Sequence, residues 1–254
     1  MLASQRQEEI LRQLESAGAV VVKELAQRFD VTEDCIRKDL ALLERRGQLK
    51  RTYGGAMPAR RNLHSFGVAQ RSASHVAEKQ AIADRAFALI QDGDTVFLDI
   101  STVSLELAKR IFASKKQVTV VSTMLAIINL AAEQKARFLS VGGQLEPNCN
   151  GFAGSMANAM IERFRFDLSF FGTAGADAES GAVYTYVAED GDTKAVALRN
   201  SRRAYLLCEA RKFRQDGNYR FADIGDFAGM IMDQKPDADV EAACAALGVE
   251  ILCA

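Results

Sequence analysis

Seven short apolar runs, separated by longer amphipathic segments, constrain the fold of this chain more than any other feature. They are TVFLD (95–99), QVTVVS (117–122), ARFLSVGG (136–143), DLSFFGTAG (167–175), AYLLCEA (204–210), AGMIMD (228–233) and VEILC (249–253). Continuous apolar runs are typical of strands buried on both faces, and helices between them indicate a largely parallel sheet. The region from residue 77 to 254 therefore predicts a Rossmann-like α/β domain.

Small and hydroxyl-bearing residues follow several of these predicted strands, at the sheet edge where such folds bind ligands. The candidates are Asp99, Ser101, Thr102, Ser104, Ser122, Thr123, Gly142 and Gly143, with a further turn at 172–175. Hydroxyls and N–H groups at helix N-termini favour a phosphate. Asp99 suits sugar hydroxyls, and Lys194, predicted at a helix start, supplies a cation. The alternative is that these residues only cap helices in ordinary turns.

Catalytic motifs are absent from the sequence, which contains no G-x-S-x-G, no P-loop and no G-x-G-x-x-G. Asp99, Glu189, Asp190 and Asp192 are carboxylates of a type used in acid–base chemistry, but acidic residues in loops are usually solvated. The sequence predicts no enzyme, no catalytic residue, no metal site and no cofactor.

The N-terminal region, residues 1–57, has a different pattern, of three short helices followed by a hairpin. Thr32 is a good N-cap for the third helix. The apolar stripe of that helix, at i, i+4 and i+7, consists of Ile36, Leu40 and Leu43. The segment QLKRTYGGAM (48–57) then predicts a hairpin at its glycine pair. Together these elements predict a winged helix-turn-helix, in which the third helix enters the DNA major groove.

Basic residues are concentrated in and after this third helix. Residues 37–61 hold eight Lys and Arg against two Asp and Glu, although the whole chain has a net charge of −1. The predicted DNA contacts are Thr32, Arg37, Lys38, Lys50 and Arg51. The alternative is a three-helix packing module with ordinary surface charge.

Composition indicates a cytoplasmic protein. No run of about 18 apolar residues and no secretory signal is present. The five cysteines are scattered without a C-x-x-C pair, so we expect free thiols in a reducing compartment. Residues 58–76 lose periodicity and are predicted to be a linker between the two domains.

The N-terminal segment RQEEILRQLESAGAVVVKELAQRFDVTEDCIRKDLALLERRGQLKRTYGGA (6–56) resembles the DeoR family of bacterial transcriptional repressors. The family's recognition helix commonly reads hydroxyl, two variable residues, Thr, Ile, Arg, Arg, Asp, Leu. This chain keeps Thr32, Ile36, Arg37, Asp39 and Leu40 of that pattern. Lys38 replaces the second Arg, which keeps a cation but loses bidentate geometry, so the resemblance implies a phosphate contact there.

The resemblance continues through FGVAQR (66–71), VVSTML (120–125) and FFGTAGAD (170–177) into the sensor domain of the family. It implies a fold similar to ribose-5-phosphate isomerase and a phosphorylated sugar or related metabolite as inducer. The pocket residues implied are Asp99, Ser101, Thr102, Ser122, Gly142, Gly143 and Lys194. The family loop Asp-Ser-Gly-Thr-Thr-Thr is replaced here by DISTVS (99–104), which predicts an altered ligand or a weaker phosphate site.

The sequence thus predicts a DNA-binding transcription regulator, a repressor that forms a homo-oligomer and senses a small phosphorylated effector. Replacing Lys194 with Ala is expected to spare DNA binding in the absence of ligand and to blunt the inducer response. Two other functions remain open: a sugar-phosphate isomerase with an accessory N-terminal domain, and a protein-interaction adaptor.

Overall fold

The computed structural model describes residues 3–17, 19–46, 48–58, 68–134, 137–147, 149–215 and 217–254. The chain divides into two compact units, Met1–Asn62 and Leu63–Ala254. Within the predicted linker, residues 58–76, a helix spans Val68–Ala73 and the next begins at Val76. Residues 59–67 of that linker lie outside the described residues. The helix at Val68–Ala73 is too short to produce a recognisable apolar period, so the sequence did not indicate it.

The first unit contains three helices and a small antiparallel sheet with the order β1-β3-β2. Its elements are α1 (Ala3–Ala17), β1 (Val20–Val21), α2 (Val22–Phe29), α3 (Glu33–Arg45), β2 (Leu49–Thr52) and β3 (Gly55–Pro58). Strands β2 and β3 form the predicted hairpin, in which Thr52 pairs with Gly55. The order of helices followed by this hairpin, or wing, is that of a winged helix-turn-helix.

The core of the first unit follows the predicted stripe. Ile36, Leu40 and Leu43 of α3 are all buried, which confirms the prediction from their spacing. The close pairing of β1 with β3 depends on Gly55, because a Cβ at this position would lie 2.1 Å from the carbonyl oxygen of Val20. The glycine therefore lets β1 extend the wing into a three-stranded sheet.

The second unit is built on seven parallel strands in the described residues, one for each predicted apolar run. These strands are β4 (Thr95–Leu98), β5 (Thr119–Ser122), β6 (Phe138–Ser140), β9 (Phe166–Gly172), β12 (Ser201–Cys208), β14 (Gly229–Met232) and β15 (Glu250–Cys253). Their order across the sheet is β15-β14-β12-β9-β4-β5-β6. The predicted Rossmann-like α/β fold is confirmed.

Seven helices of the described residues accompany the sheet. They are α4 (Val68–Ala73), α5 (Val76–Phe87), α6 (Thr102–Ala113), α7 (Leu125–Gln134), α8 (Ser155–Ile161), α9 (Ala188–Arg199) and α10 (Ala238–Ala246). Two apolar clusters flank the sheet: Val96 and Leu98 belong to one, and Phe97 between them belongs to the other. This alternation buries both faces, as parallel sheets require.

Short strands outside the main sheet were not predicted. β7 (Gln144–Glu146) pairs with β8 (Gly151–Ala153), and β10 (Gly175–Ala176), β11 (Ala182–Thr185) and β13 (Tyr219–Asp223) form a separate antiparallel sheet. Strands of two to five residues leave little periodicity to detect.

Two predictions from composition can be compared with the structure. The five cysteines are free thiols, as expected: Cys35, Cys149, Cys208, Cys244 and Cys253. None of the helices in the described ranges combines the length and the apolar character that a membrane span requires.

The strand order reverses direction at β4. The chain passes from β4 to β5 and β6 on one side, and then returns to place β9 against the other side of β4. In open parallel sheets, the crevice at the carboxyl ends of the strands beside such a reversal is where ligands bind. A ligand site is therefore expected beside the segments that follow β4 and β9.

Candidate DNA interface and ligand pocket

Helix α3 begins with the predicted cap. The hydroxyl oxygen of Thr32 accepts a hydrogen bond from the backbone N–H of Cys35 at 3.3 Å, which satisfies one donor of the first turn. Arg37 and Lys38 directly follow the buried Ile36, and both are exposed. The helix thus presents two cations to solvent near its N-terminus.

Two of the predicted DNA-contacting arginines form ion pairs in the isolated chain. Arg37 contacts Glu33 at 2.5 Å and Asp34 at 2.8 Å, both on its own helix. Arg51 on β2 contacts Glu44 at 2.7 Å, which links the wing to α3. These partners are partly exposed, so the pairs are weak and water-screened. Either arginine can therefore exchange its carboxylate for a phosphate at small cost.

The other two predicted basic contacts are lysines. Among the described residues, neither Lys38 nor Lys50 forms an ion pair, and both are exposed. A concave surface between α3 and the wing includes Arg37, Arg51 and Tyr53. Tyr53, at the wing tip, is fully exposed. The structure therefore brings Arg37 and Arg51 to one surface.

Asp39, also on α3, has a structural role that the sequence did not indicate. Its carboxylate accepts from the Arg6 guanidinium at 2.6 Å and from the Gln7 amide at 2.8 Å. Arg6 and Asp39 are both buried, at 7% and 5% exposure. The hydrogen bond with Asp39 raises the pKa of Arg6. This pair joins α1 to the recognition helix.

In the second unit, Asp99 lies at the reversal point of the sheet, directly after β4. Its carboxylate accepts from the Ser104 hydroxyl at 2.6 Å and from the Gly172 N–H, at the end of β9, at 2.8 Å. It also forms an ion pair with Lys194. Asp99 is 1% exposed. It therefore ties together three elements beneath the surface of the crevice.

The start of α6 lies against the end of β9 because Gly172 has no side chain. A Cβ there would lie 2.4 Å from the Cβ of Ser101. Ser101 caps α6, with its hydroxyl oxygen accepting from the Ser104 N–H at 3.0 Å and its proton donated to the Ser104 hydroxyl at 2.9 Å. Ser101 and Thr102, at the start of α6, both line the crevice.

Lys194 lies in the middle of α9, not at a helix start as predicted, and the acidic segment before it is helical instead of a loop. Val187 occupies the N-cap position and has no side-chain hydrogen-bonding group, so the start of α9 carries no recognisable signal in the sequence. The ammonium group donates to the Gly172 carbonyl at 3.0 Å and lies 3.8 Å from Asp190. Burial acts to lower the pKa of Lys194, but the carboxylates of Asp190 and Asp99 outweigh it and raise the pKa.

Asp190 completes this buried cluster. Its carboxylate accepts from the Thr185 hydroxyl at 2.8 Å. Burial raises its pKa, with Asp99 acting in the same direction and Lys194 opposing them. One ammonium group is thus shared by two buried carboxylates.

A cavity of about 90 Å³ opens above this cluster. Its walls come from the β4–α6 turn, the β9–β10 turn, the start of α9 and two more distant basic residues. Those residues are Arg71 of α4 and Lys212, whose ammonium donates to the Thr173 carbonyl at 2.7 Å. Burial lowers the pKa of Lys212 to about 8. With Lys194 and Asp190 also in the wall and Asp99 below, basic groups outnumber acidic ones, which favours an anion.

Some of the predicted effector residues come together at this cavity and others do not. Ser101, Thr102 and Lys194 line it, while Asp99 and Ser104 lie directly beneath. Four others lie elsewhere: Ser122, Thr123, Gly142 and Gly143.

Three of those four residues, Ser122, Thr123 and Gly143, have structural contacts near the β7–β8 hairpin, whereas a Cβ added at Gly142 would meet nothing within 4 Å. The Ser122 hydroxyl accepts from the Met124 N–H at 3.1 Å, and the Thr123 carbonyl accepts from the Phe152 N–H at 2.9 Å. Gly143 approaches Ala157 of α8 so closely that a Cβ would lie 2.9 Å from the Ala157 side chain. For these residues the alternative of ordinary turn chemistry fits the geometry.

Several lining residues were not singled out as ligand contacts from the sequence: Arg71, Cys149, Thr185, Asp190 and Lys212. Arg71 lay in the segment predicted to be a linker, and Lys212 lies in a 3₁₀ turn that follows β12. Burial raises the pKa of Cys149 to about 12, so its thiol is neutral. The only sequence signal for this cavity was the rule that ligands bind at the carboxyl ends of parallel strands, and this rule cannot identify a residue on α4.

Comparison with known families assigns both units. Residues 6–61 match the DeoR-like helix-turn-helix domain, and residues 74–234 match the DeoR C terminal sensor domain.

Curated relatives resemble the chain along nearly its whole length. An uncharacterized HTH-type transcriptional regulator, FruR, of Bacillus subtilis is 30% identical over 89% of this chain and 89% of its own. A lactose phosphotransferase system repressor of Staphylococcus aureus is 28% identical over 93% of this chain and 94% of its own.

Among solved structures, ribose 5-phosphate isomerase A from Methanocaldococcus jannaschii matches with a TM-score of 0.41 and 15% identity, over 55% of each chain. A likeness at this level supports no conclusion about function.

Proposed function

Because this chain belongs to the DeoR family of DNA-binding transcriptional regulators, we propose that it represses genes by binding operator DNA through α3 and the wing, and that a phosphorylated sugar in the α6–α9 cavity controls this binding. The observation that carries the effector half is the cavity itself, which combines a net positive wall with a buried carboxylate cluster at the reversal point of the sheet. The name of the Staphylococcus aureus relative, a lactose phosphotransferase system repressor, supports the sign of regulation and the ligand class.

On DNA, we assign different roles to the basic residues. Arg37, about one turn into α3, has the planar guanidinium that recognises guanine in the major groove. Lys38, Lys50 and Arg51 contact phosphates, which positions the helix without reading sequence. When Arg37 contacts a base, the Glu33 and Asp34 carboxylates lose their ion-pair partner and face the major groove. Their negative charge then disfavours binding to the DNA in a wrong register.

Replacing Arg37 with Ala is expected to weaken specific operator binding by about 1–3 kcal/mol and to relax the choice of base at one position of each half-site. Replacing Lys38 with Ala is expected to weaken binding to all sequences alike and to reduce the slope of log affinity against log salt by about 1. Fluorescence anisotropy with operator and scrambled duplexes over a salt series distinguishes the two. If R37A keeps the wild-type preference for the operator, Arg37 is not a base contact.

In the cavity, the parts of a sugar phosphate have matching partners. The N-terminus of α6 and the two basic residues Arg71 and Lys212 suit the phosphate, and the carboxylate of Asp190 suits sugar hydroxyls. Ile100, where the family carries a hydroxyl, and Cys149 supply an apolar wall for the carbon skeleton. We propose that this wall alters which sugar is accepted.

The ionisation of Lys212 makes ligand affinity depend on pH. With a pKa of about 8, Lys212 is charged below that pH and neutral above it. A phosphate monoester stays dianionic from pH 7 to 9, so its affinity is expected to fall several-fold over this range as the cation is lost. Titration calorimetry at pH 7, 8 and 9 measures this. The K212M variant should bind weakly at pH 7 and show a flat profile; a wild-type profile in K212M contradicts the assignment.

We propose that the cavity binds its ligand without converting it. The relatives are named as regulators, and Lys194 is held between two carboxylates that favour its charged form, which is unsuited to abstract a proton. Incubation with ribose 5-phosphate, followed by NMR, tests this: aldose–ketose interconversion above the buffer rate would favour the isomerase alternative.

We propose further that the chain acts as a homo-oligomer. Helix-turn-helix regulators commonly bind repeated half-sites through two-fold symmetry. Exposed apolar side chains offer contact surface on the edge strand β6, on β7 and on α8: Leu139, Leu145, Met156 and Met160.

Capture of sheared genomic DNA by the purified chain at physiological salt, followed by sequencing, tests the DNA-binding role. Salt at this level suppresses purely electrostatic binding. The proposal expects a few enriched promoter fragments with repeated half-sites. Enrichment without repeats would contradict the oligomer, and no enrichment from a folded sample would contradict sequence-specific binding.

A further inference from the structure

One basic residue in the cavity wall, Arg71, has no side-chain partner among the residues that the structure describes. Lys194 is paired with Asp99 and Asp190, and Lys212 donates to the Thr173 carbonyl. The half-buried guanidinium of Arg71, by contrast, forms no hydrogen bond or ion pair with any group in the described residues, although it lines the same cavity. Burying a guanidinium partly without a partner is unfavourable unless a ligand supplies one.

The charge of Arg71 acts across the cavity. Burial raises the pKa of Asp190 and that of the Cys149 thiol, and the charge of Arg71 acts to lower both pKa values. These two residues come from α9 and from the segment before β8, so the field of Arg71 covers the space between them. An anion bound in that space lies within reach of the guanidinium fork, whose geometry matches phosphate oxygens.

The helix that carries Arg71 is held at both ends. At its start, the Val68 side chain is buried in the apolar cluster on one face of the sheet. At its end, the buried ammonium of Lys79 donates to the carbonyl of Ser74 at 2.6 Å and to the carbonyl of Arg71 itself. A displacement of the Arg71 side chain on ligand binding is therefore expected to move α4 as a unit.

Helix α4 is close in sequence to the DNA-binding unit. It is the first described element of the sensor unit, and β3 is the last described element of the DNA-binding unit. Only residues 59–67 separate them. No other cavity residue lies so near the DNA-binding unit in sequence; the next in order is Ile100.

We infer that Arg71 is the residue that grips the phosphate group of the effector, and that α4 is the element through which occupancy of the cavity changes DNA binding. This inference rests on the proposed function, and it adds the contact, between Arg71 and the phosphate, through which ligand binding affects the DNA-binding unit. Coupling then arises because the ligand binds more tightly to the arrangement in which α4 has moved towards it.

The test compares full-length wild-type protein with the variants R71A and R71K. The control is R202A, which removes an exposed arginine at the amino end of β12, away from the cavity edge of the sheet. Calorimetry measures the binding of fructose 1-phosphate, glucose 6-phosphate, ribose 5-phosphate and inorganic phosphate, and of the sugars without phosphate. Anisotropy measures operator release by each, and thermal unfolding verifies that every variant is folded.

The inference expects R71A to bind the effective sugar phosphate about 10- to 100-fold more weakly and to retain operator affinity without ligand. R71K should lie between, since it keeps the charge but not the fork, and R202A should match the wild type. Wild-type ligand affinity in R71A overturns the inference, whether or not operator release is altered. If wild-type protein binds none of the phosphorylated sugars, the proposed ligand class itself is wrong and the inference falls with it.

Discussion

Replacing Lys194 with Met is expected to lower the free energy of unfolding of the sensor unit by about 3–5 kcal/mol, because it leaves the buried carboxylates of Asp99 and Asp190 without their cation. The Lys194 side chain is 5% exposed and that of Asp99 is 1% exposed, so water cannot replace the lost charge. The sequence alone predicted that removing Lys194 would affect only the inducer response. The buried geometry instead makes it a structural residue first, and urea denaturation followed by circular dichroism measures the loss.

The control for this substitution is K235M, which removes a lysine whose contact with Glu241 is exposed and is expected to change stability by less than about 1 kcal/mol. The deficit of K194M should shrink as the pH falls from 7 towards 5. Burial raises the pKa of Asp190, and loss of the Lys194 ammonium removes the charge that opposes this rise, so protonation of Asp190 favours the folded state of the variant over that window. Equal stability of K194M and K235M would show that the cluster is not an interdependent unit.

Replacing Asp39 with Ala is expected to destabilise the DNA-binding unit by about 3–5 kcal/mol, since it leaves the buried Arg6 guanidinium uncompensated. A unit of this size has only a few kcal/mol of stability to lose. Operator binding should therefore vanish through unfolding and not through the loss of a DNA contact. Hydrogen exchange of the α1 and α3 amides, with the sensor unit as internal reference, measures this directly.

A matched control is D34A, which removes an exposed carboxylate from the same helix and should leave the exchange of α1 unchanged. The double variant R6M/D39L should recover much of the lost stability, because apolar residues of similar volume often replace a buried ion pair at no net cost. Protection of α1 in D39A equal to that in the wild type would contradict the structural role.

Local chemistry explains why much of the fold was predictable. Thr32 caps α3 through contacts within one turn, and the spacing of Ile36, Leu40 and Leu43 is set by helix geometry alone. The seven apolar runs became seven strands because burial on both faces demands such runs. Contacts between residues that are distant in sequence were harder to predict. The Arg6–Asp39 pair joins residues 33 apart, and neither local sequence indicates it.

The candidate site likewise contains residues that the sequence predicted and residues that it did not. The rule that ligands lie at strand ends found Asp99, Ser101 and Thr102 at the cavity, but it also selected Ser122 and Gly143, whose small size serves turns and close packing. The rule cannot choose among strand ends, since only the strand order reveals that the reversal lies between β4 and β9. Arg71 was missed because a short helix from outside the sheet carries it.

The central claim, that one chain couples a sugar-phosphate cavity to operator binding, is tested most directly by a reciprocal titration. Operator affinity is measured with and without saturating sugar phosphate, and sugar-phosphate affinity with and without operator. If occupancy of the cavity and operator binding are coupled, both ratios are equal and of the order of 5- to 150-fold. Tight binding of the sugar phosphate with no change in operator affinity would contradict it, since a ligand that binds both arrangements equally shifts neither.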